Sequence, residues 1–278
     1  MNLLDINLKS TVKLNNGIEM PVFGLGTWAL NGRRGYQAIL WALEAGYRLL
    51  DTAEGYGNEK RVGLAIKDSG IPREEIFITT KVFTTSQGFE NTLKAFEESL
   101  GRLNVLYIDL YLIHEPVSNL RLDTWKALEK LLDLGKTRAV GVSNYTIRHL
   151  TEQLDHFSII PAVNQVEFSP FLYQKDLLDF CKSHDIVLEG YSPLTKANKL
   201  NSQTLIEIGK KYGKSPAQIL IRWGLQHEVL QIPRSGNKDH IYENADAFDF
   251  QITDDDMRTL DSLNEDFRAY GLDPNTYE

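Results

Sequence analysis

Cysteine is nearly absent from this chain: Cys181 stands alone among 278 residues. No disulfide can form within the chain, and a reducing, cytoplasmic setting is expected. The flanks of Cys181 (DFCKSHD) offer no second thiol, so packing in a core is its expected role. Positive charge is also short. Lys and Arg number 30 against 38 Asp and Glu, a net charge of −8, which opposes nucleic acid and anionic membranes, since both call for a basic stripe. No apolar run approaches the ~20 residues of a membrane span. The opening MNLLDINLKS lacks the basic-then-apolar order of a secretory signal. Of the six histidines, His149 and His156 are the nearest to a pair, seven residues apart, and no cysteine stands near them at a ligand offset. No metal site is expected.

Hydrophobic residues make up 42% of the chain, ample for a large core. They fall into a repeating cadence. Eight short apolar or β-branched runs read as strands: 20–26, 47–51, 76–82, 107–114, 137–143, 162–168, 186–192 and 229–233. Amphipathic stretches separate them, such as GYQAILWALEAG, where Ile39, Leu40 and Leu43 recur at helical spacing and Gly46 supplies the stop. NTLKAFEESLGRL and RLDTWKALEKLLDLG read the same way. No Gly/Ser linker and no compositional break interrupts the series. The alternation predicts one α/β domain over 1–278, folded as a (β/α)8 TIM barrel. A doubly wound open sheet is the rival, but GLGTWAL lacks the third glycine of a dinucleotide fingerprint and leads to no immediate helix. Asn16-Gly17, between apolar runs, predicts a β-hairpin that closes the barrel bottom.

Parallel barrels carry their chemistry where the strands end. Asp51 ends the second run, Lys81 nearly ends the third, His114 ends the fourth, and Tyr56 lies on the loop after Asp51. Neighbouring strands stand about 4.8 Å apart, so these four side chains can meet on one rim. A lysine beside a tyrosine stabilises the phenolate, lowers the phenol's pKa and makes it a general acid. A carboxylate then holds the lysine, and a histidine aims the substrate oxygen. Taken singly, each residue has a plainer reading: a half-buried ring, a modest salt bridge, a core histidine.

Seven segments, GYRLLDTAEGYGNEKRVG, ITTKVF, LYLIHEP, AVGVSN, PAVNQVEFSP, GYSPL and IPRSGNKDHIYEN, occur in this order and resemble the aldo-keto reductase superfamily. The resemblance implies a (β/α)8 barrel, a nicotinamide cofactor and reversible reduction of small aldehydes or ketones to alcohols. It makes Tyr56 the proton donor, Lys81 its pKa-lowering partner, Asp51 the counter-ion of the lysine, and His114 the group that hydrogen-bonds the substrate carbonyl. Ser143, Asn144 and Gln165 correspond to residues that bind the nicotinamide carboxamide. Tyr191 corresponds to the ring stacked on the nicotinamide. Ser192 and Leu194 fall in the pyrophosphate stretch, and Glu243 and Asn244 match the pair that recognises the adenine amine.

The chain departs from that pattern in two places. NADP-preferring members carry lysine, serine and, five residues on, arginine; here Arg234, Ser235 and His240 stand there. Arg234 keeps the charge in a fork suited to phosphate, whereas a histidine carries little charge at neutral pH, unless it simply lies flat on the adenine. Lys238 is a candidate to compensate. NADPH is therefore expected as cofactor, with NADH tolerated more than usual. Glu115 stands where many members have a bulky tryptophan. A carboxylate there is expected to repel anionic substrates, unless a nearby cation pairs with it. Trp28 and Phe83 are expected as aromatic pocket walls, although Phe83 suits core packing equally.

The short tail FRAYGLDPNTYE suggests an open pocket. A monomer is expected, with a small carbonyl compound as its partner and no nucleic acid or membrane. Two other readings compete: a cofactor-binding regulatory barrel acting mainly as a protein partner, and a barrel isomerase or aldolase using Lys81 as a Schiff base. The first would want an appended N-terminal segment, and Pro21 comes early. The second leaves Tyr191, Gln165 and IPRSGN unexplained.

Overall fold

The computed structural model describes residues 6–277, so the reading of MNLLDINLKS rests partly on residues outside those described. Gly17 adopts φ +88°, a left-handed conformation that glycine enters without steric cost. It turns the chain between β1 (Thr11–Lys13) and β2 (Glu19–Pro21), which pair antiparallel with Val12 opposite Met20. The turn is pinned to the barrel. Asn16 Nδ2 donates to the Arg138 carbonyl at 2.9 Å and Asn15 Nδ2 to that of Pro161 at 3.2 Å. Both acceptors lie where barrel strands begin, so the hairpin covers the N-terminal mouth as expected.

Eight parallel strands follow: β3 (Gly24–Gly26), β4 (Leu49–Asp51), β5 (Phe77–Val82), β6 (Ile108–Ile113), β7 (Thr137–Ser143), β8 (Val163–Glu167), β9 (Val187–Tyr191) and β10 (Leu230–Gln231). Each lies beside its predecessor, and a bridge between Phe23 and Gln231 joins the first to the last. Most strand residues are buried on both faces, hence the unbroken apolar runs in the sequence. The run 20–26 divides between two elements. Pro21 ends the hairpin strand, and the Val22 amide is spent on the Ser10 carbonyl. A proline has no amide hydrogen with which to continue a ladder, so the barrel strand starts only at Gly24.

The helices are α1 (Gly32–Glu44), α2 (Glu59–Ser69), α3 (Phe89–Leu103), α4 (Arg121–Asp133), α5 (Ile147–His156), α6 (Lys175–Ser183), α7 (Gln203–Tyr212), α8 (Pro216–Gln226), α9 (Lys238–Ala245) and α10 (Asp254–Asp261). On α1 the periodic residues Ile39 and Leu43 are buried, and Leu40 packs at the margin of the core. Gly46 (φ +101°) ends the segment, as its position suggested. Ser215 and Gln218 form a capping box that starts α8, with Pro216 in its first turn.

Gly63 on α2 shows how tightly the outer helices meet: a Cβ there would lie 2.0 Å from the Leu103 carbonyl oxygen at the end of α3. Backbone cannot yield as a side-chain tip can. Gly63→Ala gains about 1 kcal/mol of helix propensity but forces overpacking that costs about 1–3 kcal/mol or more. The expected outcome is a net destabilisation of about 2 kcal/mol in urea unfolding; a stabilised variant would mean that α2 and α3 can move apart freely.

Candidate active site

The barrel interior holds charge. Lys81, on β5 and fully buried, donates from Nζ to both Asp51 carboxylate oxygens at 2.7 Å and to the Thr52 carbonyl at 3.0 Å. Three donors meet three acceptors. The Tyr56 hydroxyl stands 3.4 Å from the same nitrogen. Asp51 is also reached by Gln165 Nε2 at 2.8 Å, and that amide donates its other hydrogen to Glu189 Oε2 at 2.7 Å. Burial pushes the Asp51 carboxyl up while Lys81 and Gln165 pull it back. Burial, with the charge of Asp51 second, raises the Glu189 carboxyl to about 8.

Register explains the convergence. Asp51 lies opposite Gly26 and Thr79, Ser143 opposite Gln165, and Gln165 opposite Glu189. One row of residues therefore crosses three neighbouring strands. Tyr56 is fixed by its own loop. Glu54 accepts from the Phe83 amide at 2.8 Å and the Ser86 hydroxyl at 2.7 Å. Asn58 donates to the Thr27 carbonyl at 2.8 Å and accepts from the Thr52 hydroxyl at 2.7 Å. The short turn carrying Tyr56 is thus tied to two strand ends.

A cavity opens above this cluster. Tyr56 and His114 face each other edge-on across its floor with ring centroids 5.6 Å apart. Burial, reinforced by the Lys81 charge, drops the His114 imidazole to about 3, so the ring is neutral near neutral pH. Its Nδ1 is enclosed without a partner. A neutral ring has one N–H to give.

The Tyr56 phenol does not behave as the sequence suggested. Burial, then the charge of Asp51, pushes it well above its ordinary value. Lys81 also donates to that hydroxyl, at 3.4 Å, but its charge is offset by the Asp51 carboxylate it holds with two bonds at 2.7 Å.

Asn144 (φ +63°) joins three strand ends. Its Nδ2 donates to the His114 carbonyl at 3.1 Å and to Glu115 Oε1 at 2.9 Å, and its Oδ1 accepts from the Tyr191 hydroxyl at 2.9 Å. That bond holds the Tyr191 ring as a fixed wall of the cavity. With Asn144 occupied, the Ser143 hydroxyl and Gln165 Oε1 are the polar groups on this wall still open to a ligand. A hydroxyl donor beside an amide acceptor complements a carboxamide. Ser192 (φ +49°) and Arg234 line the same cavity, and Leu194 lies beyond it at the start of a short turn.

Glu115 does line the cavity, but it pairs with the Asn144 amide and with no cation among the described residues. Burial raises its carboxyl to about 8. It is mostly neutral at neutral pH, so the expected repulsion of anions is absent there. Trp28 forms a wall. Phe83 stands beside the cavity, braced edge-on against His114 at 5.9 Å. The tail does not leave the pocket open on its side. Glu167 anchors it through the Ala269 amide at 2.6 Å, and Tyr270 packs edge-on to Trp28 at 5.6 Å. Tyr270 is a wall residue that sequence reasoning missed. No periodic signal marks it, because irregular tail backbone places it.

The remaining candidates gather around α9. Ser235 is buried and bonded to the Asn237 backbone, Asn244 is buried and Glu243 is half-buried. His240 is exposed. Lys238 points to Glu44 at 3.9 Å and lies over the Tyr242 ring, so its charge is already partnered. No cluster of metal-ligating groups occurs among the described residues.

The sequence profile of the Aldo/keto reductase family matches residues 22–265. The chain is 51% identical to glyoxal reductase of Bacillus subtilis over 264 residues, covering 95% of this chain and 96% of that one. It is 50% identical over 270 residues to 9,11-endoperoxide prostaglandin H2 reductase of Trypanosoma cruzi, covering 96% and 95%. The fold superimposes on a Bombyx mori aldo-keto reductase solved in complex with NADP, with TM-score 0.90, 33% identity and 95% of each chain covered. The chain belongs to the aldo-keto reductase family, and it is an oxidoreductase acting on carbonyl and CH–OH groups.

Asp51→Ala would strand the Lys81 ammonium in the core. Removing one partner of a buried pair costs about 3–5 kcal/mol, and a loss of that size is expected in urea unfolding. A loss below about 1 kcal/mol would show that water reaches the ammonium.

Proposed function

We propose that this protein reduces small aldehydes and ketones with NADPH, Tyr56 acting as the general acid. The observation that carries the reading is the meeting of the Tyr56 hydroxyl, Lys81 and His114 on the floor of a cavity whose far wall presents Ser143, Gln165 and Tyr191. The residues suit a nicotinamide dinucleotide. Ser143 and Gln165 offer a donor and an acceptor to its carboxamide, Tyr191 offers a fixed aromatic face, and Arg234, Ser235, Glu243 and Asn244 stand toward its adenosine end. When bound, the cofactor supplies hydride to the carbonyl carbon.

The chain supplies everything else. The substrate oxygen sits between Tyr56 and His114, where the neutral imidazole donates a hydrogen bond and fixes the approach. As charge builds on that oxygen, Tyr56 passes it the phenolic proton. A phenol held above its ordinary pKa is still acid enough, because the nascent alkoxide is far more basic. Lys81 then turns one hydrogen from the Thr52 carbonyl toward the phenolate, a shift from one acceptor at 3.0 Å to another at 3.4 Å. The ammonium stabilises the product of proton transfer without having to acidify the reactant.

A pocket walled by Trp28, Tyr191 and Tyr270 and shared with the nicotinamide favours small substrates. Together with the 51% identity to a glyoxal reductase, this points to short aldehydes, 2-oxoaldehydes among them.

Tyr56→Phe keeps the ring and removes the proton. Reduction of glyoxal is expected to fall by about 10²–10⁴, with NADPH affinity nearly unchanged; wild-type turnover in that variant would end the assignment.

Glu115 gives a second test with a definite sign. Its carboxyl titrates at about 8, so it is neutral below that pH and anionic above. The kcat/KM ratio of anionic glyoxylate to neutral glyoxal is expected to fall about tenfold between pH 6.5 and 9, and to stay flat in Glu115→Gln. An equally steep fall in that variant would assign the titration elsewhere.

A further inference from the structure

Glu189 lies on β9, fully buried, and takes no part in the proton transfer. It does not line the cavity either. The charged and titratable groups that face it are Asp51 on β4, Lys81 on β5 and Tyr56 on the loop after β4. Its Oε1 has no partner among the described residues. Its Oε2 makes one bond, from Gln165 Nε2 at 2.7 Å, across the register that sets Gln165 opposite Glu189. A buried carboxyl with one oxygen unpartnered, next to a second carboxyl, costs the barrel stability. What it contributes therefore lies in that single bond.

A primary amide is planar, with both N–H donors and the oxygen lone pairs in one plane. One hydrogen bond from Nε2 leaves the plane free to swing about that bond. Two bonds, to Asp51 Oδ2 at 2.8 Å and to Glu189 Oε2 at 2.7 Å, fix it. The lone pairs of Gln165 Oε1 are then aimed as well, and Oε1 is the atom that the amide leaves for the cavity. Asp51 cannot do this alone, because a single oxygen takes only one of the two hydrogens. Burial, then the charge of Asp51, raises the Glu189 carboxyl to about 8. At neutral pH it accepts from Gln165 without setting a second negative charge beside Asp51.

We infer that Glu189 is a positioning residue: by taking the second hydrogen of the Gln165 amide, it fixes Gln165 Oε1 as the acceptor for the amino group of the nicotinamide carboxamide. The inference rests on the nicotinamide-dinucleotide reading above. It assigns to a residue outside the cavity a part in recognising one end of the ligand within it.

The 3-acetylpyridine analogue of NADP+ carries a methyl group in place of that amino group and has no hydrogen to give. Dissociation constants of the full chain, measured by isothermal titration calorimetry, compare the two. The wild-type chain is expected to bind NADP+ about five- to tenfold tighter than the analogue. In Glu189→Met, which keeps length and removes the acceptor, the preference is expected to fall below about twofold. Glu189→Leu carries the same expectation should the methionine variant fail to fold. Glu189→Gln keeps an acceptor oxygen and is expected to restore the preference. Adenosine 2′,5′-bisphosphate, which lacks the nicotinamide, should bind every variant within about twofold of wild type. A preference that survives in Glu189→Met, or is lost equally in Glu189→Gln, would overturn the inference. So would a loss of adenosine bisphosphate affinity in step with NADP+, the mark of a merely structural role. A wild-type chain that binds both dinucleotides equally would overturn it too, while leaving the dinucleotide reading in place. A wild-type chain that binds neither would defeat that reading, and this inference with it.

Discussion

Everything in this site depends on keeping an ammonium ion inside a barrel. Lys81 and Asp51 are buried where ionic groups cost several kcal/mol each to desolvate, and they persist because every hydrogen on the lysine has an acceptor. The carboxylate is satisfied in turn by Gln165, which is itself held against Glu189. Removing water leaves this cluster few alternative arrangements. A charge so confined can serve a proton transfer at Tyr56 without reorganising, which is where preorganised electrostatics gives its advantage.

The cavity walls follow from the same economy of donors and acceptors. Asn144 spends its amide on His114, Glu115 and Tyr191, so one side chain sets the position of the imidazole strand end, the neutral carboxyl and the aromatic wall together. The groups left over, Ser143 and Gln165, are those that a ligand can claim. At the mouth, Lys196 lies 5.0 Å from the Trp28 ring and 4.2 Å from that of Tyr270, joining the first barrel loop to the tail. The pocket is consequently narrower than a short tail would suggest, and its charge at neutral pH is less negative than a glutamate at position 115 would suggest.

Much of the architecture was legible in the chain itself. All eight barrel strands fall within their apolar runs, because strands buried on both faces must be apolar nearly throughout. Asp51, Lys81 and His114 were recognisable because each is polar at the end of such a run. Boundaries were less legible. The run 20–26 looks continuous, yet a hydrogen bond from Val22 to Ser10 divides it, and no local pattern announces a partner twelve residues away in a hairpin. Tyr270 was not visible for a similar reason: it forms its wall through Trp28, a neighbour distant in sequence.

The sequence by itself determined the alternation of strand and helix, the lack of a second cysteine for a disulfide within these 278 residues, and which polar residues end on the rim. Those properties depend on residue type and periodicity, which are local. The tertiary structure alone decided the protonation of the groups so assembled. Tyr56 is held above its ordinary pKa, His114 is neutral and Glu115 titrates near 8. Charge state is set by burial and by which partner takes each hydrogen, and neither exists until distant segments have closed around the site.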